Sequence, residues 1–409
     1  MTATIDFAPP AVPAPAAKLA DPCAPILQRC RVLVEDHGLE HVKQWKAAHP
    51  GAFVMGHMPI YAPRPLVEAQ GGLAVAIFGG GEEVDIIRGD SYFQSYICHI
   101  PRSTIELGLG GQFDVLDGMM FPSICDVIRN LGGMWKLLFP NKYSAYVDLP
   151  QNFAQGIGGK FYAHELGRIA EEMHKFGAQK LEPERLRQAL RDENSRRAAI
   201  GKLDELRRQE PHRCLASEAY LLVRAGAGLR ATDHTALIEE FLAVAKKREA
   251  RPRDNVRVVL VGAFCEQAPV DLIRALEKAG CDIVDDDFQL GMRMIEGDLD
   301  AEAEDPLLAL AMGFIKKGQA VASRYIADEV KGKSLIDKVQ AAKADGVIFA
   351  AASFCDPALL DQPMLEVAMD AAKIPHTSFK YAENTGQFQV IREQAGAFSD
   401  AVKLWGQVE

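Results

Sequence analysis

Residues 91–129 read SYFQSYICHIPRSTIELGLGGQFDVLDGMMFPSICDVIR. The stretch predicts a short helix over 103–110, a Gly-rich turn, an apolar strand over 114–122 and the start of another helix. A strand without polar alternation is the mark of burial on both faces, which is how strands of parallel sheets under crossover helices read. Cys98 and Cys125 stand in this unit with 26 residues between them, each just ahead of a helix start. Cys98 is followed by Pro101 and Ser103, and Cys125 follows Ser123. Far along the chain, Cys355 in VIFAAASFCDP precedes Asp356 and Pro357, an Asp cap with Pro in the first turn.

The same strand-then-helix alternation extends in both directions. AFVMG (52–56), LAVAIFGGG (73–81) and SAYVDLP (144–150) read as further strands of a first unit, with helices over 26–47 and from Pro65. A helical stretch, 161–248, follows. KKREARPRDN (246–255) marks a boundary, after which VRVVLVGAF (256–264), CDIVDDD (281–287), DGVIFAAASF (345–354) and PHTSFKY (375–381) alternate with helices at 269–280, 305–316, 334–344 and 357–373. The expected fold is α/β, with two open, mostly parallel sheets of Rossmann-like or flavodoxin-like type and additional helices between and around them. The expected divisions are a flexible arm (1–25, Ala/Pro-rich), a first α/β domain (26–160) with two thiols, a helical region (161–250) and a second α/β domain (251–409) with the third. The halves match in organisation, without a residue-by-residue repeat.

With 409 residues the chain exceeds one ordinary core, and 48% hydrophobic with 25% charged residues describes a globular protein of two or three domains. A net charge of −10 and the lack of a basic block argue against nucleic acid. No apolar run reaches 18 residues, so no membrane partner is expected, and the N-terminus lacks a secretory pattern, which points to the cytoplasm. Eight cysteines in a reducing compartment read as metal ligands, reactive thiols or small buried side chains rather than disulfides. Cys23 and Cys30 read as having no metal role.

At the ends of parallel strands, helix N–H groups and the positive end of the helix dipole would face Cys98, Cys125 and Cys355 and favour thiolates, the form that a metal or iron-sulfur cluster needs. Three sulfurs can hold three irons of a [4Fe-4S] cube. The spacing has no CxxC pair, and it leaves ordinary buried cysteines, another thiol function and a three-sulfur zinc site open as well.

Several phrases, in order, are more specific. MPIYAPRPLVEAQGGLAVAIFGG, FPSICDVIRNLGGMWKLLFP, YVDLPQNF followed by GGKFYAHEL, and FCDP followed by GQFQVIREQAGAF resemble the benzoyl-CoA reductase and 2-hydroxyacyl-CoA dehydratase family over about residues 26–405. Within it they are most similar to the cluster-bearing subunits of ATP-dependent benzoyl-CoA reductase. The resemblance implies that Cys98, Cys125 and Cys355 hold a [4Fe-4S] cluster used for dearomatising reduction of an aromatic acyl-CoA to a cyclohexadiene carboxyl-CoA. It also implies a related cluster-bearing partner subunit and a separate ATP-hydrolysing electron activator fed by reduced ferredoxin. No G-x-x-x-x-G-K-[ST] occurs here, in keeping with ATP being used on a partner. Dehydration of a 2-hydroxyacyl-CoA through a ketyl radical is the alternative chemistry, and a cluster-free structural partner subunit is the alternative of another class.

Against that background His57, Tyr61 and Arg64, after the first strand, and His99, beside a ligand candidate, are placed to contact CoA phosphate or thioester. His99 is also a candidate proton relay, because imidazole titrates near neutrality. A structural hydrogen bond is the plainer role for each. Arg102 either balances cluster charge or lies outside on the next turn. Cys265, just after a second-domain strand, reads as a fourth ligand, a substrate-side thiol or a buried thiol, and Glu266 beside it as an acid or a cap. The acids of DDDFQLGMR (285–293) invite a metal but more simply solvate a turn. In HELGR, Arg168 stands where a zinc site needs its second histidine, so His164 and Glu165 form no metalloprotease motif. DGMMFP and GMWKLLFP read as core or interface packing.

Overall fold

Eight short strands and fourteen α-helices are built on this alternation in a computed structural model, which describes residues 21–80, 84–94, 96–262, 268–288, 293–324, 330–382 and 388–405. In the first sheet β1 (Val54–His57), β2 (Leu73–Ala76), β3 (Gly118–Pro122) and β4 (Tyr143–Val147) run parallel in the order β2-β1-β3-β4. In the second, β5 (Val256–Val261), β6 (Cys281–Asp286), β7 (Gly346–Ala352) and β8 (His376–Tyr381) run parallel in the order β6-β5-β7-β8. The two sheets thus share one strand order. In each, the order reverses beside the first strand, between β1 and β3 and between β5 and β7, and the crevice at the carboxyl ends there is where open α/β sheets bind ligands.

The methionines of the first sheet belong to its core. β1 and β3 pair with Met55 opposite Gly118 and Gly56 opposite Met119. A Cβ on Gly56 would lie 2.6 Å from the Met119 sulfur, and one on Gly118 2.9 Å from the Met55 sulfur. Each thioether therefore fills the space a glycine leaves on the neighbouring strand. Helix α5 (Asp126–Leu138) covers β3 and β4 with Ile128, Leu131 and Trp135. Trp135 is fully buried among the rings of Phe113, Phe121 and Phe139.

Several boundaries differ from the sequence expectation: β3 begins at Gly118 rather than 114, β2 ends at Ala76, and two helices start elsewhere than expected. Helix α1 (Ala24–Val34) starts inside the expected arm, and it packs on the helical region rather than on the first sheet. Cys23 and Cys30 are fully buried in that contact, with burial pushing their thiols up to about 11 and about 12. In this contact they are neutral packing groups. Helix α4 (His99–Leu109), preceded by α2 (Glu40–Ala48) and α3 (Arg64–Ala69), begins four residues earlier than the 103 start. Pro101 sits in its first turn, where a missing N–H breaks no intrahelical bond.

Helices α6 (Lys160–Lys175), α7 (Pro183–Gln209), α8 (Ala216–Ala225) and α9 (Ala231–Ala245) form the helical region. The many charges of α7 do more than face solvent, because its last turns clasp the second sheet. Arg207 donates to Asp286, Arg208 to Asp285 at 2.9 Å, and Arg293 to both Asp286 and Asp204. Lys338 stands 3.5 Å from Asp285. The acidic run of β6 is thus spent on buried ion pairs, which accounts for its carboxylates without a metal. After α10 (Val270–Lys278), the chain continues through α11 (Pro306–Lys317), α12 (Lys333–Ala342), α13 (Asp356–Ala371) and α14 (Phe388–Trp405). Among the described residues no helix is long and apolar enough to cross a membrane.

Candidate functional site

All three singled-out cysteines are N-cap residues. Cys98 caps α4, Cys125 caps α5 and Cys355 caps α13. Cys125 and Cys355 each follow the third strand of their sheet by three residues, so they hold corresponding places in the two halves. Helices α4 and α5 lie side by side, with Gly108 facing Trp135 and Phe139.

The backbone N–H groups of Val127 and Ile128 face Cys125 and favour its charged form, as expected near a helix N-terminus, although the sulfur makes no capping hydrogen bond. Its pKa is nevertheless raised. Burial is the largest cause, and the Asp126 and Asp356 carboxylates add to it against the two N–H groups. The expectation that the helix ends leave a thiolate is thereby corrected for this residue: desolvation outweighs the helix N–H groups. The effect of Asp356 also places the first turn of α13 near Cys125. Cys355 is buried, and Phe354 before it is half-exposed with φ 65°, a left-handed backbone that costs energy for a side chain of this size.

Among the described residues, no three His, Cys, Asp or Glu side chains converge as a ready metal site. Asp356, beside Cys355, thus acts electrostatically on Cys125, and among the described residues no ligand set closes around the three thiols. The donors suit a cluster in kind, with three thiols at helix N-caps and N–H groups facing one of them. Cys265 and Glu266 lie outside the described residues.

The histidines and arginines sort differently. His57, at the end of β1, is buried, with Nδ1 at 2.7 Å from the Met58 carbonyl and Nε2 at 3.3 Å from Arg64 Nη1. Burial, then the Arg64 charge, lowers its pKa to about 3, so it is a neutral ring at working pH. Arg64 opens α3 and donates to the carbonyls of Gly226, Ala227 and Leu229. Arg102 pairs with Asp90 at 2.8 Å. Glu165 pairs with Arg168 on α6 at 2.8 Å. His99 is the half-buried first residue of α4.

Two features go beyond the sequence reading, the first of them at Tyr61, a candidate CoA contact there. Tyr61, buried with φ 63°, shares a 2.9 Å hydrogen bond between its hydroxyl and Ser323 Oγ and meets Phe314 edge-on. It thereby joins the loop after β1 to the second half. The second feature is a cavity of about 280 Å³ at the carboxyl edge of the second sheet, with Gly262 after β5, Phe349 of β7, Ser334, Leu335 and Lys338 of α12, and Leu365 of α13 in its wall. The only sequence sign of either is the glycine and proline punctuation after the strands.

Comparison with known proteins extends this geometry. The family described as 2-hydroxyglutaryl-CoA dehydratase, D-component, matches residues 59–402. A benzoyl-CoA reductase subunit from Thauera aromatica is 46% identical over 93% of this chain and 99% of its own. The (R)-phenyllactyl-CoA dehydratase beta subunit of Clostridium sporogenes is 26% identical over 89% of this chain and 94% of its own. The beta subunit of (R)-2-hydroxyglutaryl-CoA dehydratase from Acidaminococcus fermentans is 25% identical over 86% and 93%. With most of its length covered by that family, and with phrases around β1, β3 and β7 in family order, the chain belongs to the 2-hydroxyglutaryl-CoA dehydratase D-component family.

Proposed function

We propose that this chain is a subunit of an ATP-dependent benzoyl-CoA reductase, in which Cys98, Cys125 and Cys355 hold a [4Fe-4S] cluster. The observation that carries the proposal is the placement of all three thiols at helix N-caps, two of them at corresponding points of the two sheets. The 46% identity to a protein named as a benzoyl-CoA reductase subunit supports the substrate. When bound, such a cluster supplies one-electron transfer at low potential.

The chain's own residues provide the setting. The N–H groups of Val127 and Ile128 lie on the Cys125 side of the first turn of α5, where they favour negative charge on a ligand sulfur. Buried Cys355 and the apolar end of β7 keep water from that side. The cavity beside α13 has room for an aromatic ring and its thioester but not for a whole CoA, so the nucleotide end must lie outside it. His57 is a neutral ring held between a carbonyl and a guanidinium and acts in positioning. His99, at the first turn of α4, is the candidate proton carrier. The overall change adds two electrons and two protons to benzoyl-CoA, giving a cyclohexadiene carboxyl-CoA.

The proposal includes a related cluster-bearing partner and a separate ATP-hydrolysing activator with reduced ferredoxin as donor, working in the cytoplasm. Dehydration of a 2-hydroxyacyl-CoA is the second reading, favoured by the family's description and by the dehydratase relatives. Supplying the anaerobic complex with benzoyl-CoA and, separately, with a 2-hydroxyacyl-CoA distinguishes them. A cyclohexadiene carboxyl-CoA product from the first supports the proposal, and an enoyl-CoA from the second alone overturns it.

A further inference from the structure

We infer that a single small inorganic anion of halide size binds in a cavity walled by Arg64, Arg196 and Arg197, where the three parts of the chain meet. The cavity lies among the start of α3, the middle of α7 and the segment 294–299, with Leu310 of α11 behind it. Neither the cysteines nor the acyl cavity contribute to it, and the inference does not depend on the redox reading.

Arg196 is 1% exposed. Its Nη2 donates to Glu193 at 2.6 Å, while Nε and Nη1 have no acceptor among the described residues. Arg197 repeats the pattern, with Nη2 donating to Asn194 at 2.6 Å and with Nε and Nη1 unanswered. Arg64 spends both terminal nitrogens on carbonyls and leaves Nε without an acceptor. Five guanidinium nitrogens on three side chains around one cavity therefore lack an acceptor among the described residues. Native interiors rarely leave such donors unsatisfied.

Charge favours an anion over a water. Glu193 is the one carboxylate in the cavity wall against three guanidiniums, which stay protonated in proteins. Glu68 lies next to Arg64 and Arg196 electrostatically, but it also accepts from the Ala231 N–H and stands 3.7 Å from Arg230. The Arg64 pKa is lowered to about 10, first by burial and then by the Arg196 charge, which is the effect of crowding cations away from water. Asp298 acts on half-exposed Arg197, so the buried positive charge centres on Arg64 and Arg196, and charge so buried needs a counter-charge. Size sets the rest. The cavity measures about 20 Å³, and a water needs roughly 10–15 Å³ on the same measure, so one chloride-sized particle fits and an oxyanion such as phosphate does not.

The test uses the whole anaerobic complex. Crystals grown with bromide in place of chloride are expected to show one anomalous peak within hydrogen-bond reach of Arg196 Nε and Nη1. In solution, thermal unfolding in chloride against gluconate at constant ionic strength is expected to show a saturable rise in Tm of roughly 2–4 °C. Arg196→Met is expected to abolish that rise. Should it fail to fold, Arg197→Gln, on the half-exposed side, is expected to weaken halide affinity at least tenfold. A Cys355→Ser complex is expected to keep the bromide peak, which separates this inference from the cluster. Density fitted by water with no anomalous signal, together with equal melting in the two salts, overturns it.

Discussion

Cys125 and Cys355 hold the same position in two sheets of one strand order: each lies three residues past the third strand and caps the helix that follows. Asp356, next to Cys355, is close enough to raise the Cys125 pKa. Two halves of one chain thus carry equivalent thiols at the same point of their folds. A site assembled this way depends on how the halves are held, so its joints matter as much as its thiols.

The clasp between α7 and β6 is the first joint. Burial alone would raise the Asp286 pKa, but Arg293 and Arg207 outweigh it and hold the carboxyl well below the usual range. Removing Arg207 leaves a buried carboxylate short of a partner, so Arg207→Met is expected to cost about 3–5 kcal/mol. Denaturant unfolding of the variant measures it. A loss under about 1 kcal/mol would mean that the pair contributes little to joining α7 and the second sheet.

Acid should weaken the fold before Asp286 protonates. His57 and His234 are both buried, and burial is the first cause that lowers each pKa to about 3 from an ordinary 6.5. The unfolded chain takes up these protons below about 6.5 and the folded chain does not, so their contribution is complete above 6.5 and falls as pH drops toward 3. Stability is expected to decline by about 1.4 kcal/mol per pH unit for each ring in that window. Unfolding curves at about pH 7.5, 6 and 5 read it directly, and a flat profile there would show that these rings do not stay neutral.

Tyr61 joins the loop after β1 to the second half through one hydroxyl and one aromatic contact. Tyr61→Phe keeps the ring and loses the bond to Ser323, with an expected cost of about 1 kcal/mol. A drop in activity larger than that stability loss explains would show that the joint also sets the relative placement of the two halves. Activity and unfolding measured on the same preparation separate the two effects.

Leu365 lines the cavity above the second sheet. Leu365→Trp narrows it and is expected to raise KM for the acyl-CoA at least tenfold while leaving iron content unchanged. Unchanged KM would move the acyl group to the partner subunit.

Much of this fold is readable in the sequence because local pattern and tertiary need agree. The apolar runs VVLV and GVIFAAA belong to the central strands β5 and β7, the second buried along its whole length, and Pro357 lies in the first turn of α13, although Cys355 rather than the expected Asp356 is its N-cap. Where they disagree, the sequence misleads. Pro101 draws the start of α4 too late, although a proline is tolerated anywhere in a first turn. The Ala/Pro composition around residue 20 hides that Cys23 caps a packed helix. Pairings such as Arg207 with Asp286, and the balance of burial against helix field at Cys125, depend on neighbours distant in sequence, which no spacing rule encodes.

The central claim is tested most directly by counting iron and sulfide in the anaerobically purified complex, with this chain native or carrying Cys98→Ser, Cys125→Ser or Cys355→Ser. The account predicts about four irons and four sulfides attributable to this chain, lost or sharply reduced in each variant with an altered electron resonance signal. Equal iron and sulfide in the native and all three variant complexes, with activity retained, would contradict it.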